Sequence, residues 1–237
     1  MNFHVITLFP EMFDSYLGES ILARAVKAKK INFKFYNPRD YAEIKNPRVE
    51  KPYRQIDDKP YGGGPGMVMR AEPVIKAIEK AMKICQRGRL TSRSVKIIFF
   101  SPSGKQFDTS YAKNAAKKFT DIIFICGRYE GIDARVKNIL RTAPTFGKIG
   151  VQEISVGPYV LTGGELPAMI MIDSISRQVE GVLGDFASLE ESRVASPDVY
   201  TRPSTFTYKN KKYSVPEILL TGNHAKIEEW RNKQNEK

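Results

Sequence analysis

The chain has 237 residues, with 38 Lys and Arg against 26 Asp and Glu and a formal net charge of +12. Hydrophobic residues at 41% and charged residues at 27% are near the globular average, which excludes wholesale disorder and leaves room for one large or two modest domains. Two cysteines, Cys85 and Cys126, and two histidines, His4 and His224, lie far apart along the chain, so neither a disulfide framework nor a locally assembled Cys/His zinc site is available.

Residues 3–9 form an apolar run that predicts a strand, 20–30 a helix and 31–36 a second strand, an α/β opening. No basic leader precedes the first run and no apolar stretch approaches the length of a membrane span, so a cytoplasmic chain without a membrane or disulfide-linked partner is expected. From Arg24 to Arg54 ten Lys and Arg outnumber three Asp and Glu, interleaved with Phe33, Phe35, Tyr36, Tyr41 and Tyr53. Basic residues among aromatics suit a polyanion, through phosphate contact and base stacking, and equally suit a solvated face with its aromatics turned inward.

Residues 57–67 hold the densest glycine cluster, which reads either as a structural turn or as a binding loop. No phosphate-binding glycine pattern fits it, and nothing glycine-rich follows the first strand near Pro10, which argues against an ordinary doubly wound nucleotide-binding domain. Val74, Ile78, Met82 and Cys85 then share one face of a helix over 71–85, with Pro73 harmless in its first turn. A strand over 95–100 ends in Ser-Pro-Ser-Gly, a polar helix covers 109–119, and an apolar run over 121–126 ends in Gly-Arg-Tyr-Glu-Gly. This rhythm predicts a parallel sheet with both loops at carboxyl ends of strands, where open α/β sheets place ligands.

A stretch of small and basic residues, 138–150, precedes an apolar segment over 153–161, a Thr-Gly-Gly-Glu-Leu-Pro turn and a helix to about Arg177. Residues 184–203 read as a linker. The tail predicts a strand over 205–213 and a helix over 224–232, with Tyr213 and Trp230 packing a small core. Three loops, 101–105, 127–131 and 157–164, each follow an apolar segment, and together they predict a backbone-lined cleft for a flat polar ligand. Nearby charged residues are Arg128, Glu130, Asp133, Glu153, Glu165, Asp173 and Arg177, then Glu190 and Glu191; most are expected to be solvated or ion-paired.

Seven ordered blocks carry a family resemblance: Ile6-Thr7-Leu8-Phe9-Pro10-Glu11-Met12-Phe13, the 57–67 cluster, Ser101-Pro102-Ser103-Gly104, Cys126-Gly127-Arg128-Tyr129-Glu130-Gly131-Ile132-Asp133, residues 159–168, Tyr200-Thr201-Arg202-Pro203 and Val215-Pro216-Glu217-Ile218-Leu219-Leu220. In order and over nearly the whole chain they resemble the bacterial tRNA (guanine-N1)-methyltransferase family, TrmD. The resemblance implies an α/β, trefoil-knotted, SPOUT-like methyltransferase domain over 1–184, a linker over 185–203 and a small, mostly helical, tRNA-contacting domain over 204–237. It further implies a homodimer that uses S-adenosylmethionine, with Mg2+ as a family requirement, to methylate N1 of the guanosine just 3′ of the anticodon, position 37, in tRNA.

Carried over by residue, the resemblance places Pro102, Gly104, Gly127, Tyr129 and Glu130 at the cofactor. It adds Val156, Gly157, Pro158, Tyr159, Val160 and Leu161, then Gly163, Gly164 and Pro167. Arg177 matches the family's functional arginine. The family's base is an aspartate in the linker, where this chain reads Ser188-Leu189-Glu190-Glu191-Ser192-Arg193. An ungapped match puts Ser192 there and a one-residue shift puts Glu191 there; Glu191 is the expected base, since a serine hydroxyl does not accept the proton unaided. Pro158 stands where the family has aspartate, which removes a carboxylate. The departures keep two other readings open: a tRNA-binding protein of the same fold without catalysis, and methylation of another tRNA nucleotide.

Overall fold

The computed structural model describes residues 1–45, 53–86, 95–146, 149–183 and 198–235. The chain divides into two compact units, Met1–Val182 and Leu183–Lys237.

The first unit is built on five parallel strands: β1 (Asn2–Ile6), β2 (Asn32–Tyr36), β7 (Val95–Gln106), β8 (Asp121–Ile125) and β9 (Gly150–Ser155), in the order β2-β1-β8-β7-β9. Every residue of β8 is buried, as expected of a central parallel strand covered on both faces, and its apolar run has no polar alternation. Side chains alternate between two cores. Ile97, Ile123 and Ile125 face α3 (Ala71–Cys85) and α5 (Arg135–Thr142), whereas Ile98, Ile122 and Phe124 face α2 (Ser20–Lys27), α4 (Thr109–Lys118) and α6 (Glu165–Arg177). α3 buries Val74, Ala77, Ile78, Ala81, Met82 and Cys85, the stripe read from its sequence. Asp108 caps α4 by accepting a hydrogen bond from the Tyr111 N–H at 2.6 Å.

The elements differ from expectation where the chain bends. The first strand stops at Ile6, because Pro10 opens a 3-10 turn (Pro10–Phe13) that runs into the one-turn helix α1 (Asp14–Leu17). β7 continues through Ser-Pro-Ser-Gly instead of ending at Phe100. Phe100 and Lys105 both pair with Ile154, so the four residues between them bulge out of the ladder, where Pro102 removes no needed hydrogen bond. A Cβ at Gly104 would lie 2.7 Å from the backbone of Glu153 and Ile154, so the bulge closes onto β9 only with glycine there.

Helix α5 falls partly in the segment read as small and basic; two buried residues, Val136 and Leu140, hold it. Short antiparallel pairs complete the unit: β3 (Ile44–Lys45) with β4 (Tyr53–Arg54), and β5 (Asp57–Asp58) with β6 (Val68–Met69). The glycine cluster is the connection between β5 and β6, with Gly62, Gly63, Gly64 and Gly66 at positive φ.

In the second unit β10 (Thr205–Tyr208) and β11 (Lys211–Ser214) form a hairpin rather than one strand, turning at Lys209 and Asn210 with positive φ. A 3-10 turn (Glu217–Leu220) and α7 (His224–Asn235) follow. Phe206 and Tyr213 stack at 5.6 Å, yet no residue described between 198 and 233 is buried. The expected small core around Tyr213 and Trp230 is therefore not formed within this unit: Tyr213 is 44% exposed and Trp230 is half-buried. No described helix is long and apolar enough to cross a membrane.

Candidate active site at the carboxyl ends of the parallel strands

β7, β8 and β9 are neighbours, so the loops that leave their carboxyl ends converge on one cleft, a cavity of about 390 Å3 within the usual range for small-molecule sites. Of the residues expected at a cofactor, Pro102, Gly127, Tyr129, Glu130, Val156, Gly157, Tyr159, Val160, Leu161, Gly163, Gly164 and Pro167 line it. Gly104 and Pro158 are not part of the lining: Gly104 backs onto β9, and Pro158 is exposed.

The loops are held by one another. The Gly164 N–H donates to the Gly127 carbonyl at 3.0 Å, and a Cβ on Gly164 would lie 2.5 Å from Cα of Cys126, so the two backbones touch where side chains would separate them. The 155–161 loop closes on itself: the Ser155 hydroxyl donates to the Gly157 carbonyl at 2.9 Å, and the Tyr159 hydroxyl to that of Val156 at 3.1 Å. β6 braces the middle loop, with N–H groups of Met69 and Asp133 donating to Gly131 and Met69 carbonyls at 2.9 and 3.0 Å. Tyr129 sits at φ 60, a left-handed conformation a tyrosine keeps only when its surroundings impose it.

Charge enters through Arg128. Its Nε lies 3.0 Å from Oε2 of Glu165, an ion pair in which the N–H is not aimed along the hydrogen-bond direction, and its guanidinium lies 4.7 Å over the Phe9 ring. Glu165 is 1% exposed and its other oxygen accepts from the Thr7 hydroxyl at 2.8 Å. A carboxylate at the first turn of α6 also meets the positive end of that helix. Burial pushes the Cys126 thiol well up, which makes it a packing group and not a nucleophile.

Asp133 accepts from Nε and the backbone N–H of Arg135, both at 2.9 Å, and the side-chain hydrogen bond holds its carboxyl below the usual range. Glu153 is flanked by Lys137 at 3.1 Å and Arg141 at 3.6 Å. Lys137, Asp133, Ser101 and Thr162 line the cleft without having been singled out as cofactor contacts; for Lys137 the missed start of α5 hid it. Arg177 ends α6, away from the cleft lining, and Glu190, Glu191 and Ser192 lie outside the described residues.

A parallel α/β sheet with a glycine-rich, backbone-lined cleft at its strand ends is the arrangement in which open α/β proteins place small polar ligands. The family model for tRNA (Guanine-1)-methyltransferase TrmD matches residues 1–237, and the chain belongs to that family. Proteins named tRNA (guanine-N(1)-)-methyltransferase are similar along nearly their whole length. That of Clostridioides difficile is 43% identical over 99% of this chain and 92% of its own. Those of Bacillus subtilis and Buchnera aphidicola are 42% and 41% identical, over 99% and 98% of this chain and 87% and 89% of theirs.

Proposed function

We propose that the chain transfers the methyl group of S-adenosylmethionine to N1 of the guanosine immediately 3′ of the anticodon, position 37, in tRNA. The family match over residues 1–237 carries this reading, and the cleft supports it, because the family's motifs fall on its three loops. The residues present fit the donor: the cavity holds about 390 Å3, and Gly127, Gly157 and Gly163 put no side chain into it. In this reading Gly127 and the backbone of 156–161 hold the adenine and methionine parts, and Tyr129, Glu130, Gly163 and Pro167 line the cleft around them. When bound, S-adenosylmethionine supplies a methyl group on a positively charged sulfur.

Glu191 takes the N1 proton, so that the N1 electron pair is free to form the new bond to the methyl carbon as the bond to sulfur breaks. Deprotonation pushes negative charge onto O6 of the guanine, where the Arg177 guanidinium stabilises it. Arg177 lies ten residues beyond Pro167 on α6, ~15 Å along the axis by helical rise; in this reading it acts at the cleft of a second copy of the chain. A homodimer is supported by the exposed apolar side chains of Phe9, Met12, Tyr16, Leu166 and Ile170, on the 3-10 turn, α1 and the adjoining face of α6.

The trefoil knot enters this reading through the family match. The domain reading of 1–184, 185–203 and 204–237 is supported by the compact unit Met1–Val182, and the aromatic and basic hairpin of the tail suits contact with tRNA in a cytoplasmic enzyme. The cleft does not fit magnesium. Asp133, Glu153 and Glu165 are each held by a cation, Pro158 offers no carboxylate, and Glu130 is the one other carboxylate among the described residues that line the cleft. No step here runs through that ion.

The test is a methyl-transfer assay with purified protein, S-adenosylmethionine and a tRNA bearing guanosine at the target position. Primer extension should stop at that base. Cofactor binding without product, or a stop at another base, would overturn the reading.

A further inference from the structure

Away from the cleft, His4, Cys85 and Asp121 meet inside the protein, and the reaction uses none of them. They come from three separate elements: the middle of β1, the last residue of α3 and the first residue of β8. All are buried, at 1, 3 and 2% exposure. Nε2 of His4 lies 3.2 Å from Oδ1 of Asp121 and 3.4 Å from Sγ of Cys85, and the three atoms all fall within 4.8 Å of one another. We propose that these three side chains form a site for a divalent transition metal ion of the zinc type, which fastens the end of α3 to β1 and β8.

The two separations from His4 are those of tetrahedral edges. With bonds of roughly 2.0 Å to nitrogen and oxygen and 2.3 Å to sulfur, tetrahedral zinc sets its ligands about 3.3 Å apart for nitrogen and oxygen and about 3.5 Å for nitrogen and sulfur. The observed 3.2 and 3.4 Å match both separations. The donor set matches as well: a thiolate and an imidazole select zinc over magnesium or calcium, and one carboxylate completes a set that balances the ion's two charges. A buried site of zero net charge avoids the desolvation cost of an uncompensated ion.

The surrounding groups orient the ligands as metal sites require. Nδ1 of His4, the nitrogen turned away from the other two ligands, lies 2.9 Å from the Tyr36 hydroxyl; with a metal on Nε2 the ring proton sits on Nδ1 and that hydroxyl accepts it. The Asn2 amide donates to Oδ1 of Asp121 at 3.0 Å, and the Thr120 hydroxyl donates to Oδ2 at 2.7 Å. Binding deprotonates Cys85, and its proton leaves to solvent.

The full-length protein, stripped with chelator, is loaded with Zn2+ and separately with Co2+, desalted, and assayed for metal by mass spectrometry. Wild type should retain about one zinc per chain, in keeping with a single structural site, and its Tm should rise on loading. The cobalt form should show the thiolate-to-cobalt charge-transfer band in the near ultraviolet. Cys85→Ser and His4→Ala should lose the retained zinc and the Tm rise, while Cys126→Ser should keep both. No retained zinc or no thiolate–cobalt band in the wild type would overturn the site, as would equal retention by Cys85→Ser. The wild-type cobalt spectrum decides the matter even if a variant fails to fold.

Discussion

Arg128 shows how one residue at the cleft is held from several sides. Glu165 meets it within ion-pair distance, Phe9 lies under its guanidinium, Met12 Sδ is 3.1 Å from one of its terminal nitrogens, and the Thr162 carbonyl is 3.4 Å from the other. Glu165 in turn is held by Thr7, so the first strand's end, the middle loop and α6 share one polar junction. Two carboxylates adjacent in sequence, Glu190 and Glu191, make separable predictions. Glu191→Gln should lower kcat by roughly 10²- to 10⁴-fold, the usual worth of a general base, with little change in cofactor affinity. Glu190→Gln should keep near wild-type turnover; the reverse pattern in steady-state kinetics would move the base by one residue.

Asp133 predicts a pH effect. The Arg135 hydrogen bond lowers its folded-state carboxyl, so the pair's contribution is fully present above about pH 4, the ordinary aspartate range, and is lost as pH falls through the lowered value. Arg135 is well exposed, so the contribution is small. Thermal melts of wild type and Asp133→Asn should show a small advantage for wild type at neutral pH that closes in acid. An advantage that persists unchanged to low pH would show that the pair is not its source.

Elements decide the site through where they end. β8 stops at Ile125 and the chain passes through Cys126 and Gly127 into a loop that α6 then approaches to backbone contact. Gly164→Ala would place a methyl 2.5 Å from Cα of Cys126, a backbone atom that cannot swing aside. We expect a loss of about 1–3 kcal/mol in stability, typical of overpacking, and weakened cofactor binding, read by denaturant unfolding and calorimetry. An unchanged unfolding midpoint would show that the loops part at little cost. Long, strongly periodic elements were legible: α3 has the bounds its apolar stripe predicts. The β7 bulge was not, because Ser-Pro-Ser-Gly reads locally as a turn and only pairing with β9 keeps it in the sheet. The two-residue strands β3 to β6 have too little sequence to carry a period.

At the scale of the molecule, each face of the sheet is sealed by helices, but one outer surface is not. Leu166 and Ile170 are exposed one turn apart on α6, at 50 and 43%, beside Phe9, Met12 and Tyr16. In the proposed dimer this surface is covered, so Ile170→Asp should shift sedimentation from dimer to monomer and lower turnover while leaving the far-UV circular dichroism unchanged. A dimeric variant would place the subunit contact elsewhere. The second unit, with no buried residue described between 198 and 233, likewise gains no core from its own aromatic residues.

Read alone, the chain was enough for the α/β class, the parallel rhythm, the cleft at the strand ends and the family, because those depend on local periodicity and on motifs that are contiguous along the backbone. Charge gave a sign and no address: its basic, aromatic-rich segment was compatible with two readings. What needed the folded molecule was every relation between distant residues. His4, Cys85 and Asp121 are 81 and 117 residues apart in sequence and meet at 3.4 and 3.2 Å, and Arg177 lies at the far end of the helix whose first turns line the cleft. No local pattern reports such contacts, since they arise when the β8 strand inserts between β1 and β7 and brings α3 and α6 down on its two faces.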